Sequence, residues 1–393
     1  MNHPQRIPYT IIALGTIATL GGWGGAKGVI FPDFLQDLSL APALGSAIFT
    51  ATSVGSFIGS SSFAALSNRF GLSWVNRMGA LLLAGITCVI LFVRQPAFLY
   101  AAFVLFGLGW SMLELSSSLP ISLLYAREQG SIMNLLHSFF GVGTITGSLL
   151  AGWAMSHGAN WRLPMGVVVL LAGLWAYAYQ RQPALSLPPR AKTEKGNGSL
   201  LRDPVVWTAT LALTAGVAAE AGAGIWLPTY LSQGKGLDVA GSTLGATLFF
   251  LGFTASRLCG ALLVGRMGSV RSVFSAAAVG AAGLAGVMLL PASWFWLTVL
   301  AGLGVGIIFP TCLTLVAERY QSRSNAVFSL IYACANVAGI ATGPAMGMVV
   351  QGRGVTAAVW MLLSFYTAVM FFIGYCGWAL AHRPAGSATR PAA

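Results

Sequence analysis

Twelve stretches of about twenty mostly apolar residues follow one another along this chain, starting near Tyr9, Leu44, Asn76, Ala97, Ser131, Leu163, Pro204, Gly241, Ser272, Trp294, Asn325 and Thr356. A helix of about twenty residues rises ~30 Å, which matches the hydrocarbon thickness of a bilayer. Lipid offers the backbone no hydrogen-bond partner, so a spanning segment must satisfy its own N–H and C=O groups. The pattern therefore predicts an all-α membrane protein with twelve transmembrane helices. With 56% hydrophobic residues, only 8% charged and a mean hydropathy of +0.78, the composition lies far from that of a soluble domain. Nothing before Tyr9 resembles a cleavable signal, and the first span is expected to be retained.

The basic residues set an expected orientation. Fifteen of the twenty-one Lys and Arg fall on one side if the first segment is cytoplasmic, whereas only Arg94, Arg162, Lys235 and Arg353 fall in the opposite loops. The positive-inside rule then puts both termini in the cytoplasm of a multi-pass inner-membrane protein. On this reading the net charge of +12 reports topology, and no nucleic-acid partner is expected. Cys88, Cys259, Cys312, Cys334 and Cys376 all fall within spans without paired spacing, so neither a disulfide framework nor a metal site is predicted.

A polar stretch, QRQPALSLPPRAKTEKGNGSLLRD, divides the spans six and six. The expected organisation is an amino-terminal half over 1–179, a cytoplasmic linker over 180–203, a second half over 204–381 and a tail over 382–393. The halves are internally related. Gly28-Val29-Ile30-Phe31-Pro32 matches Gly224-Ile225-Trp226-Leu227-Pro228 at a shift of 196, and Asn68-Arg69-Phe70-Gly71 matches Gly265-Arg266-Met267-Gly268 at 197. The run NLLHSFFGVGTITGSLLAG has its own copy: Asn134, His137, Gly141, Thr144, Ser148 and Gly152 share one helix face, and Ser329, Tyr332, Asn336, Gly339, Gly343 and Gly347 repeat it at a shift of 195. Its GVGTITG segment imitates a dinucleotide-binding fingerprint but is one residue too long, and no acid follows at the required distance. No cofactor is expected. Gly143, Gly147 and Ala151 instead form a small-residue face suited to close helix contact.

Four ionisable residues lie inside spans: Lys27, Glu114, Glu220 and Arg257. Each costs about 2.5–3.5 kcal/mol on insertion scales, so each is a candidate functional group. Glu114 shares a face with Ser111, Ser118 and Ser122, a polar stripe that should line a wet cavity. Lys27 and Glu220 lie at similar depth before Pro32 and Pro228 and are able to pair, although a Lys27 to Glu114 pair is equally open. Arg257 is expected to anchor backbone carbonyls, and His137 is a candidate for titration near neutral pH. Two positive and two negative charges cancel, which favours a neutral polar solute. Trp23, Trp110, Trp226 and Tyr230 are candidates to stack on such a solute, and Asn134, His137, Glu114, Tyr332 and Asn336 to bond it. The competing reading of Trp226 and Tyr230 is the aromatic belt at the membrane interface.

Six plus six spans, parallel half-repeats, a basic central linker and an Arg-x-Gly loop after spans two and eight resemble the major facilitator superfamily of transporters. The superfamily's loop signature, G-x-x-x-D-R-x-G-R, stands here as Ala64 to Leu72, keeping Arg69 and Gly71 but with Asn68 in place of the acid; the second copy keeps Arg266 and Gly268. Within the superfamily, GLGWSMLELSSS (107–118), NLLHSFFGVG (134–143) and AEAGAGIWLPTYL (219–231) resemble the fucose–galactose–glucose proton-symporter subgroup. That resemblance implies Glu114 as the acid linked to proton coupling. It departs in the first span, where Lys27-Gly28 stands in place of an Asn-Asp pair. The resulting expectation is a non-enzymatic, monomeric secondary transporter moving a sugar or similar neutral metabolite with protons. Glu220 and Lys27 would assist coupling, and Arg69, Arg266, Asn68 and Arg257 would serve gating or structure. An exporter of amphipathic drugs or metabolites is the closest rival; a non-transporting membrane sensor is the alternative of another class.

Overall fold

The structure, a computed structural model, describes residues 6–125, 129–181, 203–319 and 324–382. The 180–203 linker and the tail fall almost wholly outside these residues. Six helices form the first half: α1 Arg6–Asp37, α2 Pro42–Phe70, α3 Leu72–Ile90, α4 Pro96–Leu124, α5 Gln129–Ser156 and α6 Arg162–Gln180. The second half comprises α7 Pro204–Thr229, α8 Val239–Met267, α9 Ser269–Leu289, the short α10 Thr298–Gly306 and α11 Ile308–Arg319, α12 Ser324–Arg353 and α13 Val355–His382. No strand occurs among the described residues. Eleven helical segments there are long and apolar enough to cross a membrane, α10 and α11 counting together within Ala292–Val316. The helix α12 is not among the eleven, although its thirty residues match its neighbours in length.

Local chemistry sets where the helices begin and turn. Pro42, Pro96 and Pro204 open α2, α4 and α7, where a missing N–H costs nothing. Asp203 and Asp238 cap α7 and α8 by accepting from the N–H groups of Val205 and Gly241. The repeat noticed in sequence reappears as backbone geometry: Gly71, between α2 and α3, has φ 84°, and Gly268, between α8 and α9, has φ 78°. Only glycine adopts that conformation without strain.

The chain alternates between two ends of the bundle. Arg6 and His382 mark the terminal end; the turn after Asp37 marks the hairpin end. Within each half the partners correspond: α2 packs on α4 as α8 packs on α10, and α3 on α6 as α9 on α13. Glycines set the closest approaches. A Cβ on Gly143 or Gly147 would strike the carbonyls of Ala18 and Gly22, and one on Gly25 would strike that of Thr144, so α1 and α5 touch backbone to backbone. Gly55 against Val104 and Gly107 against Thr52 do the same for α2 and α4; Gly252 against Val299 and Gly302 against Phe249 repeat it for α8 and α10.

Between halves, α2 lies along α12, α5 along α8 and α1 along α7. The first two seams exchange under the pseudo-symmetry of the repeat. Close contacts across them run from mid-height to the hairpin end: Gly141 against Thr254, Gly152 against Thr243, Gly347 against Ser46 and Gly28 against the Gly224 carbonyl.

Candidate functional site

The tenth span is broken at its middle. Helix α10 stops at Gly306 and α11 starts at Ile308, with Pro310 in its first turn. Proline has no N–H to give the carbonyl four residues back, which is that of Gly306. Arg257 of α8 supplies the donor instead: its Nε–H bonds the Gly306 oxygen at 3.2 Å. The same guanidinium lies 4.1 Å from the Phe253 ring centroid and 3.8 Å from the Glu220 carboxylate of α7. One side chain thus joins α7, α8 and the break between α10 and α11. Arg257 and Glu220 keep 23% and 27% of their side chains exposed.

Lys27 approaches the same carboxylate from α1. Its electrostatic partner is Glu220, on which Arg257 acts as well. Among the described residues no carboxylate lies within ion-pairing distance of Lys27. Its ammonium stands 5.7 Å from the Phe49 ring centroid, and it is the one charged residue in the lining of a small cavity walled by Trp23, Phe31, Phe49, Phe103 and Trp161 among others. Neither pairing expected from sequence is formed as a contact: Glu220 is held by Arg257, and Lys27 reaches it only across a gap. Arg257 binds a backbone carbonyl, as the sequence suggested, and also the Glu220 carboxylate. His137, half-buried on α5, has Arg257 as its charged neighbour.

Glu114 lies apart from this group on α4. Trp110, one turn earlier, turns its indole N–H to the carboxylate, and among the described residues no basic side chain pairs with it. Trp23 and Trp110 flank Phe106, at centroid distances of 5.5 and 6.0 Å. The hydroxyls of Ser111 and Ser118 bond carbonyls of their own helix, Leu108 and Glu114. Asn336 is half-buried on α12, one turn before Gly339, which faces Ser53 of α2. The side chains of Asn134, Tyr332 and Ser122 lie outside the described residues.

Trp226 and Tyr230 do not form an interfacial belt. Both are buried, at 0% and 2% exposure, because the Gly28–Gly224 approach draws α1 onto α7 and encloses them. Trp226 meets Phe31 edge-on at 5.3 Å, and its indole N–H has no partner. At the terminal end Asn68, Arg69 and Arg266 are exposed; Arg69 lies over the Phe70 ring at 5.1 Å, which in turn stacks on Trp74 at 4.5 Å.

Two clusters escaped the sequence reading. At the hairpin end Arg162 joins Asp37 at 2.8 Å and donates to the Leu91 carbonyl at 3.0 Å, while Trp161 donates its indole N–H to Asp37 and its backbone N–H to Asp33. In the second half Lys235 performs the equivalent task, donating to the Met288 and Leu290 carbonyls at 2.9 and 2.8 Å. Each basic residue thereby ties down the end of its half's third helix. Inside the first half, Asn76 donates to Ser116 at 2.7 Å and Tyr179 to Ser117 at 3.0 Å, with Thr16 close to the Tyr179 hydroxyl. An Asn or Tyr in an apolar run was the available signal, but nothing in the spacing says which helices meet there.

A family model described as Major Facilitator Superfamily matches residues 12–344. An MFS-type transporter of Bacillus subtilis (strain 168), YttB, is 31% identical over 151 residues, a match spanning 37% of this chain and 36% of YttB. Protein TsgA of Shigella boydii serotype 18 (strain CDC 3083-94 / BS512) is 20% identical over 98% of both chains. Among solved structures, the nucleoside transporter NupG superposes with a TM-score of 0.77 at 10% identity, covering 98% of this chain and 100% of its own. The D-xylose-proton symporter gives 0.76 at 13% identity, with coverage of 97% and 98%. At such identities the superpositions speak for the fold.

Proposed function

Because the chain belongs to the major facilitator superfamily of membrane transporters, we propose that it is a proton-coupled secondary transporter of a small polar metabolite, of the sugar or nucleoside-like kind that two of its structural neighbours are named for. The observation that carries this reading is the set of intramembrane ionisable groups, Lys27, Glu220 and Arg257, between two related halves that approach closely toward the hairpin end. Such a site serves alternating access by rocking of one half against the other. In this reading α12 completes a set of twelve spans, both termini are cytoplasmic in a bacterial inner membrane, and the described state faces inward. The transporter is monomeric, and the hydroxylated solute is bonded by Asn134, Tyr332 and Asn336.

Glu114 is the proposed proton carrier. Trp110 stands beside it and, among the described residues, no basic side chain lies within ion-pairing distance; an intramembrane acid so placed is suited to carry a proton. The test is Glu114→Gln in proteoliposomes. Uptake driven by an imposed pH gradient should vanish while counterflow exchange of the same solute persists; accumulation against a gradient by Glu114→Gln would transfer the role to another acid, Glu220 first. The aromatic walls around Lys27 favour a second reading, export of an amphipathic solute. Efflux without uptake from right-side-out vesicles would select it.

A further inference from the structure

The charge balance that suggested a neutral solute depends on all four intramembrane charges acting together, and the geometry separates them. Lys27, Glu220 and Arg257 form one group, in which two cations share one carboxylate. Glu114 stands outside it, with Trp110 beside its carboxylate. The Arg257 guanidinium is already engaged by Glu220 and by the Gly306 carbonyl. Lys27 has rings on its sides and no acid within ion-pairing distance among the described residues. An ammonium kept away from bulk water gains greatly from one opposite charge brought within contact.

We infer that the transported solute is a monoanion, with a single carboxylate or equivalent group, and that Lys27 is its counter-charge. The inference rests on the transporter reading and narrows its substrate class. Glu220 sets the limit at one charge: it neutralises Arg257 and repels a second anionic group. The surplus is therefore one, and a neutral solute leaves it uncompensated. A further consequence concerns energetics of transport. A monoanion entering with one proton on Glu114 moves no net charge, so uptake follows the pH gradient and ignores the membrane potential.

Matched probes test this on the full-length protein: D-glucuronate against D-glucose, and benzoate against benzyl alcohol, each read by thermal unfolding of the purified protein and by uptake into proteoliposomes. A monoanion should stabilise the protein where its neutral partner does not. Lys27→Gln should reduce that preference by about tenfold or more, the scale of one charge-assisted contact, and Lys27→Arg should keep it, which guards against a variant that merely folds poorly. Stabilisation by the neutral member, by both members equally or by neither overturns the inference. Proton-driven uptake of D-glucose would overturn it while leaving the transporter reading intact. Lys27-dependent stabilisation by a monoanion without any flux would leave the inference standing and remove the transporter reading.

Discussion

At the scale of single residues, Arg257 carries the most connected role. It replaces the donor that Pro310 cannot provide and balances the Glu220 charge. Replacing it with leucine leaves an acid without its cation and a carbonyl without its N–H, a loss of about 2–4 kcal/mol after allowance for partial solvent access. Detergent-solubilised protein should therefore melt at a clearly lower temperature. If the carbonyl matters, Pro310→Ala in the Arg257→Leu background should recover part of that loss by restoring an intrahelical donor. Simple additivity of the two changes would show that Arg257 and Pro310 are not coupled. Sequence reading singled out Arg257 because charge inside a span is expensive. Its link to Pro310, fifty-three positions later, was invisible, since only the α8–α10 packing brings them together. Trp226 and Tyr230 mislead for the opposite reason: flanking a proline near a span's end, they have the sequence look of an interface, and only the neighbouring helix decides their burial.

At the scale of elements, the glycine faces decide which helices meet. Gly147 of α5 lies against the Gly22 backbone of α1, where no side chain is able to yield. Gly147→Val should therefore push the helices apart at a cost of about 1–3 kcal/mol or more, visible as a lowered melting temperature and poor recovery from the membrane. Gly166 and Gly173 of α6 have nothing within 4 Å of an added Cβ. Alanine at either should be neutral or slightly stabilising, by up to about 1 kcal/mol. Equal sensitivity at Gly147 and Gly166 would mean that the small-residue seam is not what holds α1 to α5. This level was largely legible: the repeated glycine spacing in the two halves gave a packing face rather than a phosphate loop. The break in span ten was not, because a proline inside a helix often leaves the axis continuous, as Pro32 does in α1.

At the scale of the whole molecule, two related halves follow directly from the repeat, and the family match and the superpositions agree with them. Where along the bundle the halves approach most closely among the described residues was beyond sequence reasoning, since symmetric halves present the same patterns to both sides. Orientation has a direct test. In a background without native cysteines, Ser39→Cys at the hairpin end should react with an impermeant maleimide added to intact cells. Ser199→Cys in the linker should react only after the membrane is opened. The reverse pattern would invert the molecule and make the described state outward-facing.

The backbone contact between Gly28 and Gly224 is placed off-centre, and this has a mechanical consequence. Gly28 lies nine residues from the end of α1 at Asp37 and twenty-two from its start at Arg6. At ~1.5 Å per residue the two arms measure ~14 and ~33 Å. A rotation about that contact acts as an unequal lever: a small parting of the short arm sweeps the long arm more than twice as far, so a slight movement at one end of the bundle is magnified at the other.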